Sequence, residues 1–228
     1  MSSPPDGYAR SIDTPRKQPR QRRSRETVAV VLEAAAQMFS REGLAATTNR
    51  IADRAGVSIG TVYQYFPNKH AILRALAHAH VEAGGRRLGA VFRRLRAERP
   101  PFPETLYAIL DAVADLHRDH PALHGLLHRL APRLPEEVTA LRAFEDHLVD
   151  EVAYHLERCG RGGEDVELAA RTLVHAVDAQ LHRVLTRHTI DTDQLVRFAE
   201  LLVPDPVTAA STERSAPASS VRPGSSIG

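Results

Sequence analysis

The side chains of this chain that are best placed to do chemistry lie between positions 47 and 69. The segment reads Thr-Thr-Asn-Arg-Ile-Ala-Asp-Arg-Ala-Gly-Val-Ser-Ile-Gly-Thr-Val-Tyr-Gln-Tyr-Phe-Pro-Asn-Lys. Helical spacing turns Val62 toward a core and leaves four small or polar residues outward: Gly60, Thr61, Tyr63 and Gln64. Hydroxyl and amide groups beside a small residue can come close to base edges or phosphates and hydrogen-bond them. We therefore predict that this face reads DNA.

Two short helices joined by a glycine turn are predicted to position that face. Thr47 or Thr48 can cap the first helix through a backbone N–H bond, and Ser58 can cap a second helix that runs through Tyr65. Gly56 stands where the first helix must end, and a left-handed conformation there costs glycine little. An ordinary helical hairpin inside a globular core is the alternative interpretation.

Positive charge surrounds the segment. Residues 1–75 hold 12 Lys and Arg against 6 Asp and Glu, a net charge of +6, whereas residues 76–228 carry a net charge of −4. After Pro67, Asn68 can cap a helix that opens with Lys69, where the lysine is placed to meet a phosphate. A basic arm precedes the segment, with Arg16, Lys17, Arg20, Arg22, Arg23 and Arg25. It can neutralise phosphates or enter the minor groove, although it could also be a solubilising tail.

The predicted DNA-contacting set follows from these patterns. Its members are Thr48, Arg50, Ser58, Gly60, Thr61, Tyr63, Gln64, Tyr65, Lys69, Arg22 and Arg23.

Residues 55–69 resemble the DNA-binding domain of the TetR family of bacterial transcription regulators. The family signature is an Ala-Gly-Val-Ser turn, then Gly-Thr-Val-Tyr-x-Tyr-Phe, then Asn-Lys or a similar pair, and each position is filled here. The resemblance continues upstream through a predicted helix from about Thr27 to Arg41, which Glu42-Gly43 closes with a glycine cap. Its apolar stripe consists of Val28, Leu32, Ala35, Met38 and Phe39.

Composition fits an all-α protein of one or two small domains. The chain has 228 residues and 43% apolar content, which is enough for a core. No apolar run approaches the ~18 residues that cross a bilayer, and the N-terminus lacks the apolar stretch of a signal peptide. A single cysteine, Cys159, excludes an intramolecular disulfide and favours a reducing compartment. We therefore expect a cytoplasmic protein.

Helical patterns follow residue 69 without a convincing strand. Gly84-Gly85, inside the first of them, predicts either a kink or the close approach of another helix. The predicted helices span 69–96, 104–118, 136–158, 164–188 and 193–202. A further helix is predicted to begin at 121 and to be ended by Pro132 and Pro135. The predicted domains are a disordered arm (1–24), a helix-turn-helix domain (25–70), a helical effector-binding and dimerisation domain (71–203) and a disordered tail (204–228).

The helices at 136–158 and 164–188 are apolar around so much of their circumference that they need partners on two sides. A second subunit could supply one side, or both could be buried within one chain. The resemblance implies a homodimer through these helices, an inverted-repeat DNA site and a repressor released by a small molecule. That molecule would enter a cavity and shift the helix at Lys69. Candidate cavity residues are Phe92, Phe102, Tyr107, Leu110, His117, Leu126 and Phe144.

A histidine-rich segment raises a metal alternative. His120, His124 and His128 follow one another at intervals of four, with His117 just before them. Helical i, i+4 histidines can share a divalent ion, but Pro121 disturbs the first interval and no His-Glu-x-x-His motif occurs. We therefore predict no metal site, no cofactor and no enzymatic activity. A metal-dependent enzyme or metal-binding protein, and a DNA-binding protein that senses no ligand, are the alternatives.

Overall fold

The computed structural model describes residues 22–130 and 135–203, and within these ranges it is helical with no β-strand. This confirms the predicted all-α class. The helices are α1 (Arg22–Glu42), α2 (Thr48–Ala55), α3 (Ile59–Tyr65), α4 (Lys69–Glu98), α5 (Phe102–Asp115), α6 (Pro121–Leu130), α7 (Pro135–Arg158), α8 (Val166–Ala179) and α9 (Thr192–Leu202). A short 3₁₀ turn, Gly43–Ala45, follows α1. A π-helical turn, Gln180–Val184, continues α8, and we call the two together the α8 segment.

The first helix begins at Arg22, whereas the sequence predicted a start near Thr27. Arg22, Arg23 and Arg25 therefore lie in the first turns of α1 and not in an irregular arm. Glu26 and Thr27 continue the helix without a break, and the Thr27 hydroxyl donates to the Arg23 carbonyl at 3.0 Å. The rest of the predicted arm and the tail lie outside the described residues.

Prolines account for two further boundary corrections. Pro103 lies in the first turn of α5, so this helix starts at Phe102, before the predicted Glu104. Proline is tolerated there because the first N–H groups of a helix have no intrahelical partner. For the same reason Pro135 begins α7 and does not end α6. The helix predicted to reach His188 ends with the π turn at Val184.

The N-terminal unit, which we define as residues 22–68, packs around one face of α1. Val31, Ala35 and Phe39 of that face are at most 1% exposed, and Ile51 of α2 and Val62 of α3 are fully buried against them. The start of α4 and three leucines of α6 complete this core: Leu123, Leu126 and Leu127. Helix α6 is therefore docked on the N-terminal unit even though it lies far along the chain.

The C-terminal unit, residues 69–203, has its main core among α5, α7, α8 and α9, with Leu156, Leu181 and Leu195 at most 2% exposed. Helix α4 runs without interruption through Gly84-Gly85, and the ring of Phe144 lies on the pair. A Cβ at Gly84 would stand 3.6 Å from Phe144 Cζ. Of the two predicted alternatives, the helix shows the close approach of another helix and not a break, and 3.6 Å is an ordinary contact distance. No helix among the described residues is long and apolar enough to cross a membrane.

Candidate DNA-binding surface and ligand cavity

Side-chain caps hold α2 and α3 at their starts. Thr47 Oγ1 accepts from the backbone N–H of Arg50 at 3.4 Å, so the cap of α2 is Thr47 and not Thr48. Ser58 Oγ accepts from the Thr61 N–H at 3.0 Å. Between the helices, Gly56 adopts the left-handed conformation at φ +67° and donates to the last carbonyls of α2. The predicted turn is present, and contacts between near neighbours set the end of α2 and the start of α3.

The outer face of α3 presents three exposed residues, Gly60, Tyr63 and Gln64, with Thr61 half-buried beside them. The hydroxyls of Tyr63 and Thr48 lie 3.3 Å apart, which links α3 to the start of α2. The hydroxyls of Ser58 and Thr61 are 2.8 Å apart. The face therefore has an accessible backbone at Gly60. It also has hydroxyl groups that hydrogen-bond in pairs and so hold one another in place.

Tyr65 does not belong to that face. The sequence placed it among the DNA-contacting residues, but only 8% of it is exposed and it packs in the core with Val62 and Phe66. The reason is helical period: Tyr65 follows Val62 by three positions and so lies on the same buried side.

The cations near α3 already have partners. Arg50 forms an ion pair with Glu42 at the end of α1, with its side chain 57% exposed. Lys69 Nζ donates to the Leu44 carbonyl at 2.6 Å, so its ammonium holds the 3₁₀ turn instead of projecting free. Arg23 is exposed on the first turn of α1. A guanidinium has five N–H donors and an ammonium has three, so either residue can also donate to a phosphate beside its present partner.

A cavity of about 680 Å³ lies in the C-terminal unit. Residues of α4, α5, α6, α7 and the α8 segment form its wall. Most of their side chains are apolar, and several are histidines. Five predicted cavity residues line it: Phe92, Phe102, Leu110, His117 and Phe144. Leu126 does not, because it is part of the core shared with α1. Tyr107 does not either, since its side chain points outward and is 46% exposed.

One cavity residue that the sequence did not indicate is His155 of α7. Its Nδ1 lies 3.4 Å from an Arg158 nitrogen, and because a guanidinium only donates, Nδ1 must accept. Burial, followed by the nearby Arg158 charge, lowers the pKa of His155 to about 4, so the ring is neutral and carries its proton on Nε2. That Nε2 is buried with no hydrogen-bond partner among the described residues. An acceptor on a bound molecule could satisfy it.

The lower part of α4 connects this cavity to the N-terminal unit. Arg74 lines the cavity, is 6% exposed and donates to Glu137 of α7 at 2.8 Å. Arg74 lies only five positions after Lys69, which is the first residue of α4. A molecule that fills the cavity therefore touches the helix whose first turn adjoins α3.

The histidine-rich segment is divided by the fold. His117, His124 and His128 line the cavity, whereas His120 turns toward α1, with its Nε2 3.9 Å from a Glu33 oxygen. The sequence did not indicate His80 of α4 or His182 of the π turn, which join the others at the cavity wall. His182 follows Asp178 by four positions and His80 follows His78 by two, but neither spacing shows that these residues meet the histidines of α6.

Family profiles match both units. The profile of bacterial regulatory proteins of the tetR family matches residues 31–76, and that of the tetracyclin repressor-like C-terminal domain matches residues 101–203. None of the curated proteins matches the sequence significantly.

Solved structures share the fold at low identity. The fatty acid degradation regulator FadR from Bacillus halodurans is 20% identical with a TM-score of 0.56, covering 82% of this chain and 96% of that one. A TetR-like transcriptional regulator from Rhodococcus sp. RHA1 is 23% identical with a TM-score of 0.57 and the same coverage. The TetR family regulator PfmR from Thermus thermophilus is 19% identical with a TM-score of 0.58, covering 75% of this chain and 96% of that one.

Proposed function

The chain belongs to the TetR family of bacterial regulatory proteins, and on that premise we propose that it is a homodimeric repressor that binds an inverted-repeat operator and is released by a small molecule. Members of this family are DNA-binding transcriptional regulators and not enzymes, which sets aside the metal-dependent enzyme alternative.

The exposed face of α3 is the observation that carries the proposal. Gly60, Tyr63 and Gln64 stand outward on a helix that is capped at its start and held by a left-handed glycine turn. Thr48 and Thr61 flank them with hydroxyl groups. We assign base and phosphate contacts to these five residues. Ser58, Arg50, Lys69, Arg22 and Arg23 supply further phosphate contacts.

Two exposed apolar side chains on the α8 segment support a dimer. Leu168 is 58% exposed near the start of the segment and Val184 is 55% exposed at its end, whereas Leu173, Val177 and Leu181 between them are buried in the core of the C-terminal unit. A second subunit that covers Leu168 and Val184 places two α3 helices on one DNA molecule. Twofold symmetry in the protein then requires an inverted repeat in the operator, with half-sites about one helical turn apart.

The cavity supports release by an effector that is mainly apolar and carries a hydrogen-bond acceptor for His155 Nε2. Such a molecule contacts α4 along Arg74, Leu88 and Phe92. It weakens DNA binding to the extent that it prefers an α4 position that misaligns the two α3 helices.

DNA recognition is tested by selecting binding sites from random duplex DNA with the purified full chain. An enriched inverted repeat is expected. Tyr63→Ala and Gln64→Ala should each weaken binding to that repeat about tenfold or more, because a specific side-chain contact is worth about 1–3 kcal/mol. Failure to enrich any sequence, or wild-type affinity in both variants, would refute the assignment of α3.

The matched control is Tyr107→Ala. Tyr107 is 46% exposed on α5 and Tyr63 is 42% exposed on α3, so the two changes remove the same group at similar exposure. Only the Tyr63 change should affect DNA affinity.

The dimer is tested by light scattering coupled to size-exclusion chromatography. Leu168→Glu and Val184→Glu are expected to yield monomers, since each places a charge in the proposed interface. Leu201→Glu on α9, where the side chain is 80% exposed, is the control and should remain a dimer. A wild-type monomer would contradict the proposal.

Release is tested by adding fractionated cell extract to the protein–operator complex. A fraction that dissociates the wild-type complex should not dissociate Leu110→Trp, because the larger side chain fills the cavity that Leu110 lines. Equal dissociation of both complexes would place the effector elsewhere.

A further inference from the structure

Five histidines and one aspartate meet at one end of the cavity. His80, His117 and His124 each offer one ring nitrogen, and the three nitrogens lie within 4.8 Å of one another. His128, Asp178 and His182 form a second group of ligand atoms within the same limit. The two groups are continuous, because the rings of His117 and His182 have centroids 4.8 Å apart. These residues come from α4, α6, the α8 segment and the turn after α5.

The contact between His117 and His182 is the most informative part of the cluster. His117 Nδ1 lies 2.7 Å from the Val113 carbonyl, and since a carbonyl only accepts, this nitrogen carries the proton. His182 Nδ1 lies 2.8 Å from a carboxylate oxygen of Asp178 and carries its proton for the same reason. When both rings are neutral, both Nε2 atoms hold lone pairs, yet they face each other at 3.1 Å.

Two lone pairs at that distance repel unless a cation lies between them. A tetrahedral zinc ion with Zn–N bonds of about 2.0–2.1 Å holds its ligand nitrogens about 3.3 Å apart. The His117–His182 spacing is already close to one edge of such a site. The Nδ1 bonds are also those of metal-binding histidines, which donate their second N–H to a carboxylate or a backbone carbonyl.

His124 and His80 add two further rings. His124 Nδ1 is buried with no hydrogen-bond partner among the described residues, which is costly unless something binds it. The centroid of the His80 ring lies 4.3 Å from that of His124 and 4.8 Å from that of His117. Imidazole nitrogens bind a metal in their neutral form.

We propose that His80, His117, His124 and His182 bind one divalent transition-metal ion of the zinc type at this end of the cavity, with Asp178 and the Val113 carbonyl as positioning groups. An all-nitrogen ligand set suits Zn²⁺, Ni²⁺ or Co²⁺ and not Mg²⁺ or Ca²⁺, which take oxygen ligands. Side-chain rotations that bring the nitrogens of His80, His117 and His124 closer by at most about 1.5 Å would form one face of the tetrahedron. His182, whose Nε2 lies 3.1 Å from His117 Nε2, would turn toward His80 and His124 to complete it.

The ion would connect α4 and α6, which pack on the N-terminal unit, to the α8 segment. His80 lies on α4, His124 on α6 and His182 on the π turn of the α8 segment. Helix α6 packs on α1 through Leu123 and Leu127. A bound ion would therefore restrain α4 and α6 against the α8 segment.

The experiment uses the tag-free full chain, stripped with EDTA and titrated with Zn²⁺ by calorimetry and with Co²⁺ by visible absorption. We expect one ion per chain and the intense d–d bands of tetrahedral Co²⁺. His117→Gln and His124→Gln should each raise the Kd for Zn²⁺ at least tenfold, and Asp178→Asn should raise it about 10- to 100-fold. Circular dichroism checks folding, and His124→Gln, whose ring is half-buried, serves if His117→Gln does not fold.

His188→Gln is the matched control, because His188 is exposed and does not line the cavity. Its Kd should equal that of the wild type. The proposal is overturned if the wild type binds no stoichiometric Zn²⁺, which would mean that a proton separates His117 and His182. It is also overturned if His188→Gln weakens binding equally, or if His128→Gln abolishes binding while His124→Gln keeps it. No DNA is present, so this result is independent of the DNA-binding and dimer tests.

Discussion

The N-terminal unit and the C-terminal unit are organised by contacts of very different reach along the chain. In the first, the Ser58 cap joins residues 3 positions apart, and Asn68 caps α4 in the same way through the Ala71 N–H at 2.9 Å. In the second, the His117–His182 contact joins residues 65 positions apart, and Arg74–Glu137 joins residues 63 positions apart. A surface made from local contacts can be identified in the sequence, whereas a site assembled from distant ones needs the fold.

The two units also differ in how they use polar groups. Residues 22–68 contain no histidine, and their outer face is made of hydroxyl, amide and backbone groups. The C-terminal unit buries its polar groups around a cavity, where His124 Nδ1 and His155 Nε2 have no hydrogen-bond partner among the described residues. A buried polar atom without a hydrogen-bond partner costs stability, so its presence beside a cavity indicates a place where a ligand binds.

The largest predicted difference between the two units is in their stability at low pH, where the C-terminal unit should be destabilised. The pKa values of His80, His117 and His124 are about 3, 4 and 2, below the ordinary value of 6.5 in the unfolded chain. The unfolded state therefore binds more protons, so the stability is complete above about pH 6.5 and is lost as the pH falls toward 4. Each group contributes up to about 1.4 kcal/mol per pH unit. Urea unfolding of the EDTA-treated protein between pH 7.5 and 4.5 measures this loss.

His124→Gln removes one of these groups and should flatten the dependence on pH, whereas His188→Gln should keep the wild-type slope. Identical slopes in all three proteins would show that buried histidines do not distinguish the units.

Loss of the Phe39 ring should be the largest single-residue effect in the N-terminal unit. Phe39 is 1% exposed at the centre of its core, and Phe39→Ala should lower the free energy of unfolding by about 3–5 kcal/mol. DNA binding should be lost together with this stability, because residues of α2 and α3 pack in the same core as the Phe39 ring. Val30→Ala, at a position 48% exposed on the same helix, should change stability by less than about 0.5 kcal/mol. A cost for Phe39→Ala near that of the control would mean that α1 does not organise the unit.

The smallest predicted effects come from adding a methyl group at one glycine in each unit. A Cβ at Gly125 of α6 would lie 2.5 Å from Thr186 Cγ2 and 3.2 Å from the His182 carbonyl. Gly125→Ala should therefore cost about 1–3 kcal/mol and separate α6 from the π turn. At Gly60 of α3 the nearest atom would be Ser58 Oγ at 3.7 Å, an ordinary contact. Gly60→Ala should stabilise α3 by about 0.5–1 kcal/mol.

Thermal unfolding followed by circular dichroism measures both changes. Gly60→Ala should nevertheless weaken operator binding, since the added methyl keeps the backbone from the DNA. A tolerated Gly125→Ala would show that α6 and the π turn are not closely packed.

Most of the N-terminal surface could be predicted from sequence because short-range chemistry produces it. The turn at Gly56, the Ser58 cap and the burial of Val62 each follow from a residue and its near neighbours, and the structure has them as predicted. Tyr65 shows the limit. The signature that identifies it does not say which way its ring points, and the ring packs in the core of the N-terminal unit, on the side of α3 that Val62 also faces.

The C-terminal unit was predictable as a set of helices but not as a site. Phe92, Leu110 and Phe144 were among the candidate cavity residues, and they line the cavity. Apolar periodicity could not separate Leu126, which packs in the core shared with α1, from Leu127 beside it, which also lines the cavity. Both are buried on the same helix, and what faces each of them depends on how α6 docks.

The sequence by itself determined the helical class, the helix-turn-helix and its family, because caps, glycine turns and apolar periods act over a few residues. Only the tertiary structure decided that the cations of Arg50 and Lys69 already have partners, that α6 supports α1, and that His80 and His182 meet His117 and His124 at one end of a cavity. These facts depend on which helices pack together, and helix packing is a sum of many weak contacts between segments that are distant in the chain.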